Sequence, residues 1–380
     1  MIKFEDREIE YFLYIIRCAL KGEVPNKPEE PIDWERLVSI AKRQEVYSVI
    51  AAALPAEYLP AEQAERLNNY EKSELVRLIA MKNELAFLEA ELCKSEIPFM
   101  LLKGSRIRAF YPKESMRQMS DIDILYNEKG RDSLLKIMKK RGYKLSSWSE
   151  NSDDFIKAPY YTFEFHRTLF FDDFNFNTDF SFVWENAKRD GENEFKYIMS
   201  DEDLYIHSVA HMYKHHVLGG FGVRFLTDTY LMVKKCADMD FGYINGRMEE
   251  MGLADFESLV RNLSVALIED GDLSGEQLDF LVTVLSFGLY GDSAKGRLVQ
   301  YETFKNNNGG SSSMVKYTLL RLFPPKEYMC RTYRVLNKAP VLLPFFYVYR
   351  LIVKTAKDGK RAVKEIVEIR QIQKNDKKEK

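Results

Sequence analysis

Asp121 and Asp123 stand two residues apart in Ser120-Asp121-Ile122-Asp123-Ile124-Leu125. On an extended chain successive side chains leave opposite faces, so both carboxylates share one side while Ile122 and Ile124 turn into a core. Two converging carboxylates can hold Mg²⁺ or Mn²⁺ ions. Such ions neutralise a nucleoside triphosphate and activate an attacking oxygen for in-line displacement at phosphorus. An isolated Asp-x-Asp also occurs in turns and on exposed edges, so its surroundings decide. Upstream, Lys103-Gly104-Ser105 follows the short apolar run Phe99-Met100-Leu101-Leu102. A turn between a strand and a helix lets backbone N–H groups hold a phosphate, with Gly104 allowing close approach and Ser105 offering a donor. For the tripeptide alone, the competing account is a simple strand-to-helix turn with an exposed lysine.

Other residues offer chemistry at suggestive spacings. In Thr162-Phe163-Glu164-Phe165-His166, Glu164 and His166 share one face of a strand and the two phenylalanines anchor the other. His207, His211 and His215 recur every four residues, which makes one stripe on a helix with His216 beside it. That stripe is a weaker metal signal than His-Glu-x-x-His, and a polar helix face is the alternative. Arg224 and Asp228, four apart, either pair along a helix surface or face a nucleotide cleft.

These residues need elements to position them. Apolar spacing predicts a helix over 5–20, Asp33 reads as the N-cap of a second, and the run 61–93, free of Pro and Gly, reads as one long helix with room for a kink. A strand at 99–102, a turn and short helix, a strand at 121–125, a helix at 133–141 and a strand at 160–166 follow. Helical patterns return over 207–216, 225–236 and 258–285. The polar stretch 306–313, Asn-Asn-Asn-Gly-Gly-Ser-Ser-Ser, has linker composition. The expected division is a helical region 1–95, a catalytic core 96–185, a helical domain 186–305 closing the cleft, and a basic amphipathic region 306–380.

Strand, Gly-Ser turn, helix, then strand with Asp-x-Asp resembles the DNA polymerase beta nucleotidyltransferase superfamily. More narrowly, Leu102-Lys103-Gly104-Ser105, Tyr111-Pro112, Arg117 and Ser120-Asp121-Ile122-Asp123 resemble the bacterial family of uncharacterised nucleotidyltransferases. The resemblance implies an α+β fold, a small mixed-sheet core flanked by N-terminal and C-terminal helical regions. It also implies transfer of a nucleoside monophosphate from an NTP to an acceptor, with pyrophosphate released. Asp121 and Asp123 would hold the metal, and a third carboxylate on a later strand falls to Glu164, as ligand or general base, with Asp172, Asp173 and Asp179 as rivals. Lys103, Gly104, Ser105, Arg117 and His166 would contact the nucleotide, and His211 and His215 would line the cleft. One departure is that Asp121 comes 16 residues after Ser105, against roughly ten in many members, so the connecting loop is longer. Arg117 lies in that loop, poised to pair with a phosphate, to orient the Asp pair, or to form a structural salt bridge.

Composition bounds the rest. With 46% hydrophobic and 30% charged residues in 380, the chain is a folded protein rather than a disordered one. Four scattered cysteines argue against a zinc cluster or a disulfide framework and fit a reducing cytoplasm. The charged N-terminus lacks a secretory apolar stretch, and 339–349, with two prolines, is too short to span a bilayer. The net charge of −2 hides an asymmetry, since residues 311–380 carry 17 Lys and Arg against 6 Asp and Glu. That end can make a weak contact with an anionic membrane surface or with RNA, or its aromatics can pack inward beneath solvated lysines. The acceptor, whether small molecule, protein or RNA, is not specified. A non-catalytic nucleotide-binding or regulatory protein of the same fold is the alternative.

Overall fold

The computed structural model describes residues 6–148, 151–159, 161–170, 176, 180–191, 193–218, 220–287, 323, 326, 329, 330, 333 and 335–350. The chain divides into two compact units, Met1–His215 with Phe221–Leu289, and His216–Gly220 with Tyr290–Lys380. The expected boundary near 305 and the linker at 306–313 lie outside the described residues.

In the first unit, α1 (Arg7–Lys21) and α2 (Trp34–Arg43) each open on an aspartate cap. Asp6 accepts from the Ile9 amide and Asp33 from that of Arg36. After α3 (Tyr47–Ala53), α4 (Ala61–Lys94) runs 34 residues unbroken, as its lack of Pro and Gly predicts. It delivers the chain to β1 (Phe99–Leu101), α5 (Gly104–Ile107), β2 (Ile122–Tyr126) and α6 (Arg131–Lys140). Next come β3 (Lys144–Trp148), β4 (Ser152–Lys157), β5 (Tyr161–His166), α7 (Phe182–Glu185), β6 (Lys188–Asp190) and β7 (Asn193–Ile198). Helices α8 (Asp201–Leu218), α9 (Val223–Lys235), α10 (Phe241–Glu250), α11 (Ala254–Glu269) and α12 (Gly275–Ser286) complete the described helical part.

The seven strands form one mixed sheet in the order β3-β4-β5-β2-β1-β7-β6. The expected strand, helix, strand, helix, strand order is present with a β3–β4 hairpin inserted before β5, and the sheet continues through β6 and β7. The helical pattern read over 258–285 is two helices, because Asp270 enters the left-handed region at φ 60° and ends α11.

The sheet separates two cores. Phe99, Ile122, Ile124, Tyr126, Phe163 and Phe165 pack on one side against Leu88 and Leu92 of α4 and Leu134 and Met138 of α6. Met100, Leu102 and Leu125 face the other side, in the core built by the remaining helices. Four edge-to-face or stacked contacts, such as Tyr126 with Phe165 at 5.9 Å and Tyr143 with Phe163 at 5.7 Å between centroids, fill the first core. Each buried phenylalanine contributes about 2–3 kcal/mol, and a one-residue slip of β5 would expose both and bury Glu164 instead. The aromatic layer therefore fixes which way the acids point.

Candidate active site

β2 and β5 run parallel with Asp123 paired to Glu164 and Leu125 to His166. Register and alternation put Asp123, Glu164 and His166 on the face opposite the aromatic layer. The three offer ligand atoms that lie within 4.8 Å of one another, and among the described residues this is the group of His, Cys, Asp and Glu arranged to hold a metal ion. His166 Nε2 lies 2.8 Å from Asp123 Oδ1 and 3.5 Å from Glu164 Oε2, and Lys103 Nζ lies 3.3 Å from Asp123 Oδ2. Asp121, just before β2, is outside that tight group, but its charge acts on Glu164. The rivals Asp172, Asp173 and Asp179 lie outside the described residues.

The electrostatics separate the acids. Burial alone would raise the Asp123 carboxyl, but Lys103 and the His166 hydrogen bond outweigh it and hold the group well below the usual range. Burial and the Asp123 charge push Asp121 up. Glu164 is pushed up to about 8, first by burial and then by the charges of Asp123 and Asp121. The cluster is thus short of positive charge, the condition a divalent cation relieves. Carboxylate oxygens suit Mg²⁺ or Mn²⁺, and a neighbouring imidazole suits Mn²⁺ better than Mg²⁺. Among the described residues, the Ser105 hydroxyl and His166 Nδ1 are buried without hydrogen-bond partners. Two orphaned polar atoms beside an acid cluster fit a site completed by a ligand.

The turn before α5 is built for close approach. The Leu102 amide donates to the Asp123 carbonyl at 3.1 Å, which ties the end of β1 to β2 at the key acid. Lys103 then takes φ 30°, a strained value for a side-chain-bearing residue. A Cβ on Gly104 would collide with the Arg117 guanidinium and come within 3.0 Å of Met119 Cε. Arg117 cannot yield, because Asp228 of α9 grips it with Nε to Oδ1 at 2.9 Å and Nη2 to Oδ2 at 2.7 Å. The Tyr111 hydroxyl also donates to Asp228 Oδ1 at 2.8 Å and lies 2.9 Å from Thr227 Oγ1. Gly104, Tyr111 and Arg117 of the motif are thus packed into one buried assembly with Asp228.

The family described as uncharacterised nucleotidyltransferase matches residues 30–268. The chain belongs to that family. No curated protein and no solved structure matches it. Family membership supports nucleotidyl transfer as the general chemistry, and the matched span holds every residue of the acid cluster, the turn and the Arg117 assembly.

Within that family framework, α8 carries the histidine stripe. His211 and His215 have ring centroids 4.6 Å apart, and both pack on Phe225. Burial, then the Lys103 charge, drives His207 and His211 well below the usual imidazole range and His215 down to about 3, so all three are neutral. His207 Nδ1 is buried without a partner and its ring meets Phe170 edge-on. Burial also lowers Lys214, whose environment includes Lys103, Glu164 and Asp123. Two residues near the cluster gave no signal in the sequence reading. Lys214 lies between the histidines, and Glu45 follows α2 at φ 51°, where its carboxyl is raised by burial and feels Arg224 and Asp121. A charged residue forced into positive φ between two helices is the clue Glu45 left, and only backbone coordinates reveal it. Arg224 Nε lies 3.6 Å from Glu45 Oε2 and Arg224 Nη1 lies 4.0 Å from Asp228 Oδ2, and with the two side chains 13% and 9% exposed the Arg224–Asp228 pair is largely out of solvent.

Proposed function

We propose that the protein is a metal-dependent nucleotidyltransferase that moves a nucleoside monophosphate from an NTP to an acceptor hydroxyl or phosphate. The observation that carries this reading is the three-way convergence of Asp123, Glu164 and His166 on paired strands beside a strained Lys-Gly-Ser turn. Asp121, Asp123 and Glu164 would hold the cation, and His166 would orient Asp123 through its 2.8 Å contact. When bound, Mg²⁺ or Mn²⁺ supplies neutralisation of the triphosphate and a more acidic acceptor oxygen. Lys103, released from Asp123, turns its ammonium to a phosphate, and the Ser105 hydroxyl donates to a phosphate oxygen. The acceptor oxygen bonds to the α-phosphorus as the bond to the bridging oxygen breaks and pyrophosphate leaves. The neutral imidazoles of His211 and His215 line the cleft without repelling the cation.

A second reading, a non-catalytic nucleotide-binding or regulatory protein, rests on one feature. Both Asp123 oxygens are already engaged, by Lys103 and by His166. Incubation with each labelled NTP and Mg²⁺ or Mn²⁺ in cell extract, with Asp121→Ala/Asp123→Ala as control, separates the two. Pyrophosphate release and label transfer lost in the control support the enzyme, whereas NTP binding without turnover supports the second reading. The labelled fraction, small molecule, protein or RNA, identifies the acceptor.

A further inference from the structure

Residues 328–357 contain six Lys and Arg and no Asp or Glu, although 58 acids in 380 residues would put four or five in such a window. Within it the structure describes a short helix, Val335–Lys338, a 3-10 turn, Pro340–Leu342, and helical residues through 350. One side of this segment has partners. The Phe346 ring lies 4.8 Å from that of Tyr333, the Tyr347 ring lies 5.6 Å from that of Phe323, and Leu336 is buried. The other side is open to solvent. Val341, Phe345 and Val348, spaced by four and three residues, are 83%, 64% and 55% exposed. Helical spacing gathers them into one apolar stripe.

We propose that this stripe, within a sequence window that is basic and free of acids, forms a docking surface for an anionic lipid bilayer. Each class of occupant must match both features. A nucleic acid would reward the cations but leave Val341, Phe345 and Val348 in water. A second copy of the chain would cover the stripe while bringing two basic, acid-free windows together. An anionic bilayer accepts apolar side chains at the acyl boundary and Lys and Arg among its headgroups. No helix among the described residues is long and apolar enough to cross a membrane, so the segment would lie in the interface plane. This inference is independent of the proposed activity.

The test is co-sedimentation of the full chain with vesicles of phosphatidylcholine alone or mixed with phosphatidylserine, at low and high salt. Partition onto the anionic vesicles should exceed that onto neutral ones by about tenfold or more and weaken as salt screens the charges. Phe345→Asp/Val348→Asp should lower it by about tenfold or more, with circular dichroism unchanged. Lys338→Glu/Arg350→Glu, which spares the apolar stripe, should abolish the preference for anionic lipid even if the first variant misfolds. Equal recovery with both vesicle types, or sedimentation untouched by the charge variant, would overturn the proposal. A dimer in light scattering that Phe345→Asp/Val348→Asp dissolves would overturn it in favour of a second copy, and tighter binding to an RNA homopolymer than to vesicles would do so in favour of nucleic acid.

Discussion

Two sets of buried acids lie on opposite sides of the sheet and are treated in opposite ways. On the aromatic side, Asp153 of β4 is fully buried and accepts from Arg131 at 2.9 and 2.7 Å, from Tyr126 at 3.2 Å and from Arg167. Glu84 of α4 is satisfied by Arg141, Lys157 and Tyr143 at 2.8–3.1 Å. Burial alone would raise its carboxyl, but Arg141 and Lys157 outweigh burial and lower it. On the other side, Asp121, Asp123 and Glu164 share Lys103 and His166, and Asp121 and Glu164 are pushed up, first by burial and then by the Asp123 charge. A buried acid with its own cations holds the fold together, whereas acids crowded against each other raise one another's carboxyls and would be eased by a bound cation.

Variants that separate the two sets sharpen the contrast. The largest effect should come from Asp153→Ala, which strands Arg131 and Arg167; urea unfolding should show a loss of about 3–5 kcal/mol, with Mn²⁺ affinity unchanged in the folded fraction. Glu164→Gln should do the reverse. Calorimetric titration should show Mn²⁺ affinity falling by about 10–100-fold, with no drop in the melting temperature of the metal-free protein. Lys103→Met removes the ammonium that competes for Asp123, so Mn²⁺ affinity should rise by about 3–10-fold while NTP affinity falls. If instead Glu164→Gln destabilises the metal-free fold and leaves Mn²⁺ binding intact, the two sets of acids do not differ in kind.

The smallest effect is in pH dependence. The Glu164 carboxyl, raised from 4.5 to about 8, keeps its proton in the folded state over a range in which the unfolded chain has released it. The folded state therefore binds more protons across that window, and metal-free stability should decline as pH rises from 4.5 to 8. Glu164→Gln should flatten this contribution in urea unfolding series run at several pH values. An identical slope in parent and variant would show that Glu164 does not titrate there.

The parts of the site legible in the sequence are those governed by short-range rules. Alternation placed Asp121 and Asp123 against Ile122 and Ile124, and Glu164 and His166 against Phe163 and Phe165, because burial of the apolar partner fixes the face. Cap chemistry located Asp33, and the lack of breakers located α4. What escaped depended on long-range pairing. The β3 and β4 sequences, Lys-Leu-Ser-Ser-Trp and Ser-Asp-Asp-Phe-Ile-Lys, break the apolar alternation, and Asp153 can sit inward only because Arg131 and Arg167 reach it. The sequence alone leaves Arg117 open as a phosphate partner or a structural pair. Its Nε and Nη2 both bond to Asp228, 111 residues away, a contact that no local spacing announces.

The most direct test of the central claim is a Mn²⁺ titration of the parent and of Asp123→Asn, read by calorimetry and by the electron paramagnetic resonance signal of free Mn²⁺. The account predicts that Asp123→Asn loses most divalent-metal binding while its circular dichroism matches the parent. Equal Mn²⁺ binding by the two proteins would contradict it and remove the Asp123–Glu164–His166 group as the metal site.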